Sequence, residues 1–172
     1  EQNLKAINSP EAEIKSLLEY YQNEQYGNAE QLALSITEQF PEHQFSWKVL
    51  GAVLKQTGRI RESLVAMQKS VQLQPQDAEA HSNLGIMLQE QGRLDEAEVS
   101  LRQAITLKSD YAEAQYNLGV TLKELARLEE AIASYAQAIV LKPDYAEAHS
   151  NLGNTLKELG RLDEAEVSYK RA

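Results

Sequence analysis

Three asparagines, Asn83, Asn117 and Asn151, stand 34 residues apart in the second half of the chain. The amide of asparagine carries a donor and an acceptor, which match the carbonyl and N–H of a peptide. A regular row of asparagines can therefore hold an extended backbone without reading its side chains. Asparagine is also a poor helix former, so a neutral helix surface would more readily carry Glu, Lys or Gln. The alternative is that the three are tolerated surface residues, or bond neighbouring helices, and recur because the repeats are duplicated.

Glutamates accompany the asparagines at the same interval. Glu79, Glu113 and Glu147 each lie four residues before one of them, and such a row of carboxylates favours peptides that carry Lys or Arg. A local explanation competes with this one, since Glu113 and Glu147 lie three residues after Asp110 and Asp144. That spacing is typical of a capping box at the start of a helix, where the helix dipole also favours acids.

Other side chains with chemical potential predict no reaction. His81 and His149 share one repeat position two periods apart, so they cannot share a metal, and we expect both to pack half-buried. His43 follows Pro41 in a turn, and we expect it to be solvated. The chain has no cysteine and no phosphate loop, nucleophile elbow or zinc-binding helix motif. We therefore expect no catalytic residue, no metal, no cofactor and no enzymatic activity.

The composition favours helices and a protein partner. Hydrophobic residues make up 42% of the 172 residues and aromatics 6%, and Ala, Leu, Glu, Gln and Lys dominate, which predicts an all-α fold. The formal charge of −9, without clusters of Lys and Arg, weighs against nucleic acid and anionic lipid. We expect a neutral or basic protein or peptide partner and no membrane association, because no long apolar run is present. The compartment is not fixed by the sequence, although the cytoplasm is favoured.

The 34-residue interval extends well beyond the asparagines. A Leu-Gly pair recurs at that interval, and its glycines are Gly51, Gly85, Gly119 and Gly153. The interval divides the chain into a lead-in at 1–9, a degenerate repeat at 10–43, three repeats at 44–77, 78–111 and 112–145, and a truncated repeat at 146–172. Because the chain begins without Met and stops inside a repeat, we expect it to be a fragment.

Each repeat reads as two helices joined by a short turn. In the repeat 78–111 the first helix ends at Gly92, which supplies a left-handed residue. Asp95 then caps the second helix, with Glu98 completing a capping box, and this helix ends near Ser109. Ala126 replaces the glycine in the next repeat. If its φ is positive, it carries a steric penalty of about 1 kcal/mol.

Small residues predict close contact between the paired helices. The glycine of each Leu-Gly pair is expected to face Ser63, Ala97, Ala131 or Ala165 on the second helix. Two backbones can approach more closely there than larger side chains would allow. One pair cannot bury its apolar faces alone, so the pairs are expected to stack into a solenoid.

These positions resemble the tetratricopeptide repeat over residues 10–172. The pattern is carried by Trp47, Leu50, Gly51, Leu54, Ser63, Met67, Ser70 and Pro75 and by their successors 34 residues later. The resemblance implies an all-α, right-handed superhelical solenoid of antiparallel helix pairs, with about four and a half repeats whose first helices line the concave side. The first repeat departs most, since Ser16 and Leu17 occupy the Leu-Gly pair, and we expect it to be helical yet irregular.

The last repeats are similar to the tetratricopeptide arrays that precede the catalytic domain of O-linked N-acetylglucosamine transferases. Those arrays carry an asparagine at the same place, which implies that Asn83, Asn117 and Asn151 grip a peptide backbone. The concave-face candidates are completed by Asn154, Gln89, Lys123 and Lys157.

The sequence therefore predicts a protein-interaction scaffold that binds an extended peptide along the concave face. Two alternatives remain open. The chain could be the substrate-docking part of a glycosyltransferase or sulfotransferase, which sequence beyond Ala172 would decide. It could also be a structural module that associates end to end through the last helix, where Val167 and Tyr169 lie on the apolar face.

Overall fold

The structure, a computed structural model, describes residues 10–172. Ten helices and no strand lie in that span, so the predicted all-α fold is confirmed. Their bounds are α1 Glu11–Gln22, α2 Tyr26–Gln39, α3 Gln44–Gln56, α4 Ile60–Leu73, α5 Ala78–Glu90, α6 Leu94–Leu107, α7 Ala112–Glu124, α8 Leu128–Leu141, α9 Ala146–Glu158 and α10 Leu162–Tyr169. The chain forms two compact units, unit 1 ending at Pro75 and unit 2 spanning Gln76–Ala172.

Consecutive helices pack against each other within each unit. In unit 2 the helices pair as α5 with α6, α7 with α8 and α9 with α10, and α6 and α8 also pack on the pair that follows. The first helices α5, α7 and α9 touch their neighbours in that order, so they lie side by side. We call the surface that these three helices form the first-helix face. In unit 1, α1 to α4 pack in the same consecutive way.

The turn between paired helices needs a left-handed residue. Gly58, Gly92 and Gly160 have φ of +78°, +70° and +75°. The prediction that Gly92 ends the first helix is confirmed, since α5 ends at Glu90. Ala126 has φ of +58° at the same place, so the predicted condition for strain is met. Glu24, at φ of +57°, occupies this place in the first repeat.

The predicted cap at Asp95 is wrong. Arg93 is the N-cap of α6, no side chain caps that helix, and Asp95 lies in its first turn. Glu98 does not close a capping box, because its carboxylate accepts hydrogen bonds from Arg102 Nε at 2.8 Å and from Arg127 Nη1 at 2.5 Å. The two arginines therefore bind the carboxylate of Glu98, which the sequence pattern predicted to accept from a backbone N–H. The helix ends at Leu107, two residues before Ser109.

The capping boxes proposed for the next two first helices are also wrong. Tyr111 and Tyr145 are the N-caps of α7 and α9, and neither helix has a side-chain cap. Asp110 and Asp144 lie one residue too early to cap them. The residue that does cap a first helix of unit 2 is Asp77, whose carboxylate accepts from the N–H of Ala80 at 3.0 Å.

The glycines of the first helices make room mainly for a large side chain of the second helix. A Cβ added at Gly85 would lie 2.6 Å from Leu101 Cγ and 3.3 Å from the carbonyl oxygen of Ala97. At Gly85 the predicted backbone approach to the small residue is therefore present, although most of the space is filled by Leu101. At Gly119 the added Cβ would lie 2.6 Å from the ring of Tyr135.

Two histidines, His149 and His43, have structural roles. His149 is buried, with 3% exposure, and not half-buried as predicted, and its Nε2 lies 3.0 Å from the carbonyl oxygen of Pro143. Trp47 donates from Nε1 to Pro41 in the same way, at 2.7 Å, so both side chains pin the first helix to the preceding turn. The prediction for His43 is wrong, because it is half-buried and caps α3, with its Nδ1 2.8 Å from the hydroxyl of Ser46.

The first repeat is helical, as predicted. Its helices α1 and α2 bury Leu17, Ala29, Ala33 and Ile36 completely. Its turn passes through Glu24 instead of glycine, and α1 has no side-chain cap.

Candidate functional site

The three asparagines occupy corresponding places on α5, α7 and α9, and all are partly exposed. They differ in what their amides contact. Asn151 donates from Nδ2 to the hydroxyl of Tyr116 at 3.0 Å. Among residues 10–172 the side-chain amides of Asn83 and Asn117 make no hydrogen bond. Two of the three amides are thus available to another molecule.

Neighbouring first helices are tied together by a recurring contact. In each case a residue of one first helix bonds the residue 35 positions later, on the next first helix. The pairs are Gln89 with Glu124 at 2.8 Å, Tyr116 with Asn151 at 3.0 Å, and Lys123 with Glu158 at 2.7 Å. These contacts fix the spacing of α5, α7 and α9.

Several of the candidate side chains therefore have partners within the chain. Gln89 and Lys123 are occupied by Glu124 and Glu158. Asn154 accepts a hydrogen bond from the hydroxyl of Tyr169 on α10 at 2.8 Å. Lys157 is exposed, and no ion pair involves it within the described part of the chain.

A groove runs between α5 and α7. It encloses about 270 Å³ and is lined by Ile86, Gln89, Glu90, Tyr116, Asn117, Val120 and Glu124. The apolar side chains in its wall are only partly buried. The groove thus combines an unbonded amide, apolar surface and carboxylates, which suits an amphipathic ligand.

Three tyrosines cluster beside this groove. The ring of Tyr116 lies 6.0 Å from that of Tyr135 and 5.0 Å from that of Tyr145, measured between centroids. Burial raises the pKa of Tyr116 and of Tyr135. Burial also raises the pKa of Tyr145, to about 12, with further contributions from Tyr116 and nearby glutamates. All three hydroxyls therefore stay protonated at neutral pH.

Tyr135 differs from its counterpart in the next repeat. Its hydroxyl is buried and has no hydrogen-bond partner among residues 10–172. The corresponding Tyr169 finds one in Asn154. The residue 34 positions before Asn154 is Val120, which cannot accept a hydrogen bond. One side-chain difference on α7 therefore leaves the Tyr135 hydroxyl without a partner.

The first-helix face is acidic. Its helices carry six glutamates and two lysines, a formal charge of 2 − 6 = −4 with neutral histidines. Glu79, Glu113 and Glu147 are exposed and lie in the first turns, where the helix dipole favours them. Lys123 offsets only the charge of Glu158. The field at this face attracts cationic groups.

A second periodic network, not predicted from the sequence, lies at the N-termini of the second helices. Arg59, Arg93, Arg127 and Arg161 are the N-caps of α4, α6, α8 and α10. Each donates two hydrogen bonds to the glutamate three residues later, and these are Glu62, Glu96, Glu130 and Glu164. The hydrogen bond from Arg93 lowers the pKa of Glu96. The signal is present in the sequence, as an arginine followed by a glutamate at a 34-residue interval.

Across residues 10–172, no group of three or more His, Cys, Asp or Glu side chains is placed to hold a metal ion. Over the same residues, no helix is long and apolar enough to cross a membrane.

Comparison with protein families decides the classification. A model described as "TPR repeat" matches residues 87–126 and 122–160, and one described as "Tetratricopeptide repeat" matches residues 66–99. Together they cover 66–160, which is 95 of the 172 residues. The chain belongs to the tetratricopeptide-repeat family. A search of curated proteins found no match to this tetratricopeptide-repeat chain.

Solved structures share the fold at low identity. MamA from Desulfovibrio magneticus RS-1 matches with a TM-score of 0.87 and 17% identity, over 94% of this chain and 91% of that one. PilF of Pseudomonas aeruginosa matches with 0.84 and 20%, over 94% and 73%. YrrB, described as a TPR protein with an unusual peptide-binding site, matches with 0.82 and 19%, over 99% and 90%. These tetratricopeptide-repeat structures support the fold of this chain.

Proposed function

We propose that this tetratricopeptide-repeat chain is a protein-interaction scaffold that binds an extended peptide on its first-helix face. The observation that carries the proposal is the pair of unbonded amides of Asn83 and Asn117, which occupy corresponding places on adjacent helices. Each amide supplies the donor and acceptor that a peptide unit needs. The similarity to transferase arrays with an asparagine at this place supports the same role.

The contacts restrict which of the candidates take part. Asn151 donates a hydrogen bond to Tyr116 on α7, and Asn154 accepts one from Tyr169 on α10, so both side chains are already engaged. Glu79, Glu113 and Glu147 act at longer range, through a field that favours a neutral or basic peptide. Lys157 remains a candidate rim contact because its side chain is exposed.

Two features lend support to a peptide as the ligand. The groove between α5 and α7 is open along the first-helix face and holds both polar and apolar side chains. YrrB, a structural neighbour, is itself described as having a peptide-binding site. Docking of a substrate for an attached transferase domain would use the same face and the same backbone contacts.

The test compares two asparagine variants. The double variant Asn83→Ala/Asn117→Ala removes both free amides, and Asn151→Ala is its matched control. A peptide selected from a random displayed library against the unaltered chain is labelled, and its affinity is measured by fluorescence anisotropy. Because each neutral hydrogen bond contributes about 1 kcal/mol, the double variant should bind at least tenfold more weakly. The control should bind nearly as well as the unaltered chain. Equal affinity of all three proteins, with unchanged circular dichroism, would contradict the proposal.

A further inference from the structure

Different kinds of side chain follow one another along the groove between α5 and α7. Asn117 comes first on α7, Val120 follows three residues later opposite Ile86 of α5, and Glu124 follows four residues after Val120, with Glu90 at the corresponding place on α5. Ile86 and Val120 correspond in the repeat, as do Glu90 and Glu124, so the two walls present the same kind of group at these two levels. A ligand in the groove meets an amide, then apolar side chains, then carboxylates.

The spacing of these surfaces fits an extended peptide. Four residues of helix advance about 6 Å along its axis, which separates Val120 from Glu124. Two residues of an extended chain advance about 7 Å, and their side chains point the same way. A peptide lying along the groove therefore places residue i against the apolar walls and the side chain two residues away beside Glu124.

The charge of Glu124, at the end of the groove, is not neutralised by a cation among residues 10–172. Glu124 accepts a hydrogen bond from Gln89, which is a neutral donor, so the carboxylate keeps its charge. The pair of Lys123 with Glu158 lies on the side of α9, and the three first helices carry a formal charge of −4. A lysine or arginine of the ligand matches this end of the groove.

The neighbouring position between α7 and α9 offers no equivalent. Asn154 stands where Val120 stands and is bonded to Tyr169, while Asn151 is bonded to Tyr116. Lys123 neutralises Glu158 there. The amide, the apolar wall and the free charge are thus all found between α5 and α7.

The geometry points to a defined ligand: an extended peptide that places an apolar side chain between Ile86 and Val120 and a lysine or arginine two residues away, beside Glu124. This inference rests on the proposed function and adds the side chains that the ligand must carry. The amide of Asn117 binds the backbone on the side of the apolar residue away from Glu124, and Asn83 holds the corresponding place on α5.

A random displayed peptide library, selected on the immobilised chain, tests the inference. The expected result is enrichment of an aliphatic or aromatic residue with Lys or Arg two positions away. Replacing the apolar residue of a selected peptide by Ser, or its basic residue by Glu, should each weaken binding about tenfold or more. Enrichment without that spacing would overturn the inference and leave the proposed function standing. No enrichment at all would overturn both.

Three variants test which side chains of the protein cause the two preferences. Val120→Asn copies the residue that the next repeat carries, and selection on it should lose the apolar preference while keeping the basic one. Peptides selected on Glu124→Gln should lack the preference for a basic residue, and salt should no longer weaken their binding. Asn154→Val is the matched control on α9, and its selected peptides should keep both preferences. Unchanged preferences in the first two variants would place the ligand elsewhere and contradict the inference.

Discussion

The side-chain amide of Asn151 on α9 donates to the hydroxyl of Tyr116 on α7 at 3.0 Å. The residue 35 positions before Asn117 is Ser82, which is small and only 2% exposed, so Asn117 has no comparable partner. One repeat position therefore serves packing in one pair of helices and remains available in another. The tyrosine decides which of these two roles the asparagine has.

The Tyr116–Asn151 hydrogen bond should be measurable as a coupling. In a double-mutant cycle with Tyr116→Phe and Asn151→Ala, we expect a coupling free energy of unfolding of about 1 kcal/mol, since the bond is partly buried and neutral. Urea unfolding followed by circular dichroism measures it. Asn117→Ala is the control and should cause no loss, because its amide is unbonded and alanine is the better helix former. Strictly additive losses in the cycle would contradict the contact.

Ala126→Gly should stabilise unit 2. Ala126 has φ of +58°, and glycine adopts that conformation without the steric penalty, so we expect the free energy of unfolding to rise by about 1 kcal/mol. Gly92→Ala is the matched reverse change. A Cβ at Gly92 would meet nothing within 4 Å, so its effect reports the backbone alone, and we expect a loss of similar size. A loss in the first variant, or no change in the second, would contradict this explanation.

The fold was predictable because its signals are local and repeated. A glycine in a turn and a run of apolar residues at helical spacing act within one helix pair, and the interval of 34 residues multiplies each of them. The arginine and glutamate network was equally visible, and its member Arg93 is the N-cap residue of the helix for which a short motif had predicted Asp95.

The roles of the asparagines were not predictable in this way. The octapeptide AEAHSNLG is identical in α5 and α9, yet Asn83 is unbonded and Asn151 is bonded. The difference arises from Tyr116, which lies on the neighbouring helix and outside the octapeptide. Likewise, Val120 leaves the Tyr135 hydroxyl unbonded while Asn154 serves Tyr169, although both tyrosines stand at one repeat position.

Gly119→Ala should be far more disruptive than Gly153→Ala. A Cβ at Gly119 would lie 2.6 Å from the ring of Tyr135, which is completely buried and has no room to move. Overpacking of this kind costs about 1–3 kcal/mol. A Cβ at Gly153 would lie 2.7 Å from the ring of Tyr169, but that residue is 41% exposed and the ring can swing outward. Urea unfolding of both variants gives the comparison, and equal losses would show that burial of the ring does not decide the cost.

Tyr135→Phe should stabilise the protein, although it removes a polar group from a tight core. The hydroxyl is buried without a partner, and an unsatisfied buried group costs about 1–3 kcal/mol, so its removal should raise the free energy of unfolding by about 1 kcal/mol.

Val120→Asn should give a similar gain by a different route, since it supplies the acceptor that Asn154 supplies to Tyr169. In the combination of the two, the gains should not add, because the asparagine has nothing to accept from phenylalanine. Tyr169→Phe, which breaks an exposed bond, is the control and should lower stability slightly. A loss of stability in Tyr135→Phe would mean that the hydroxyl is bonded in solution.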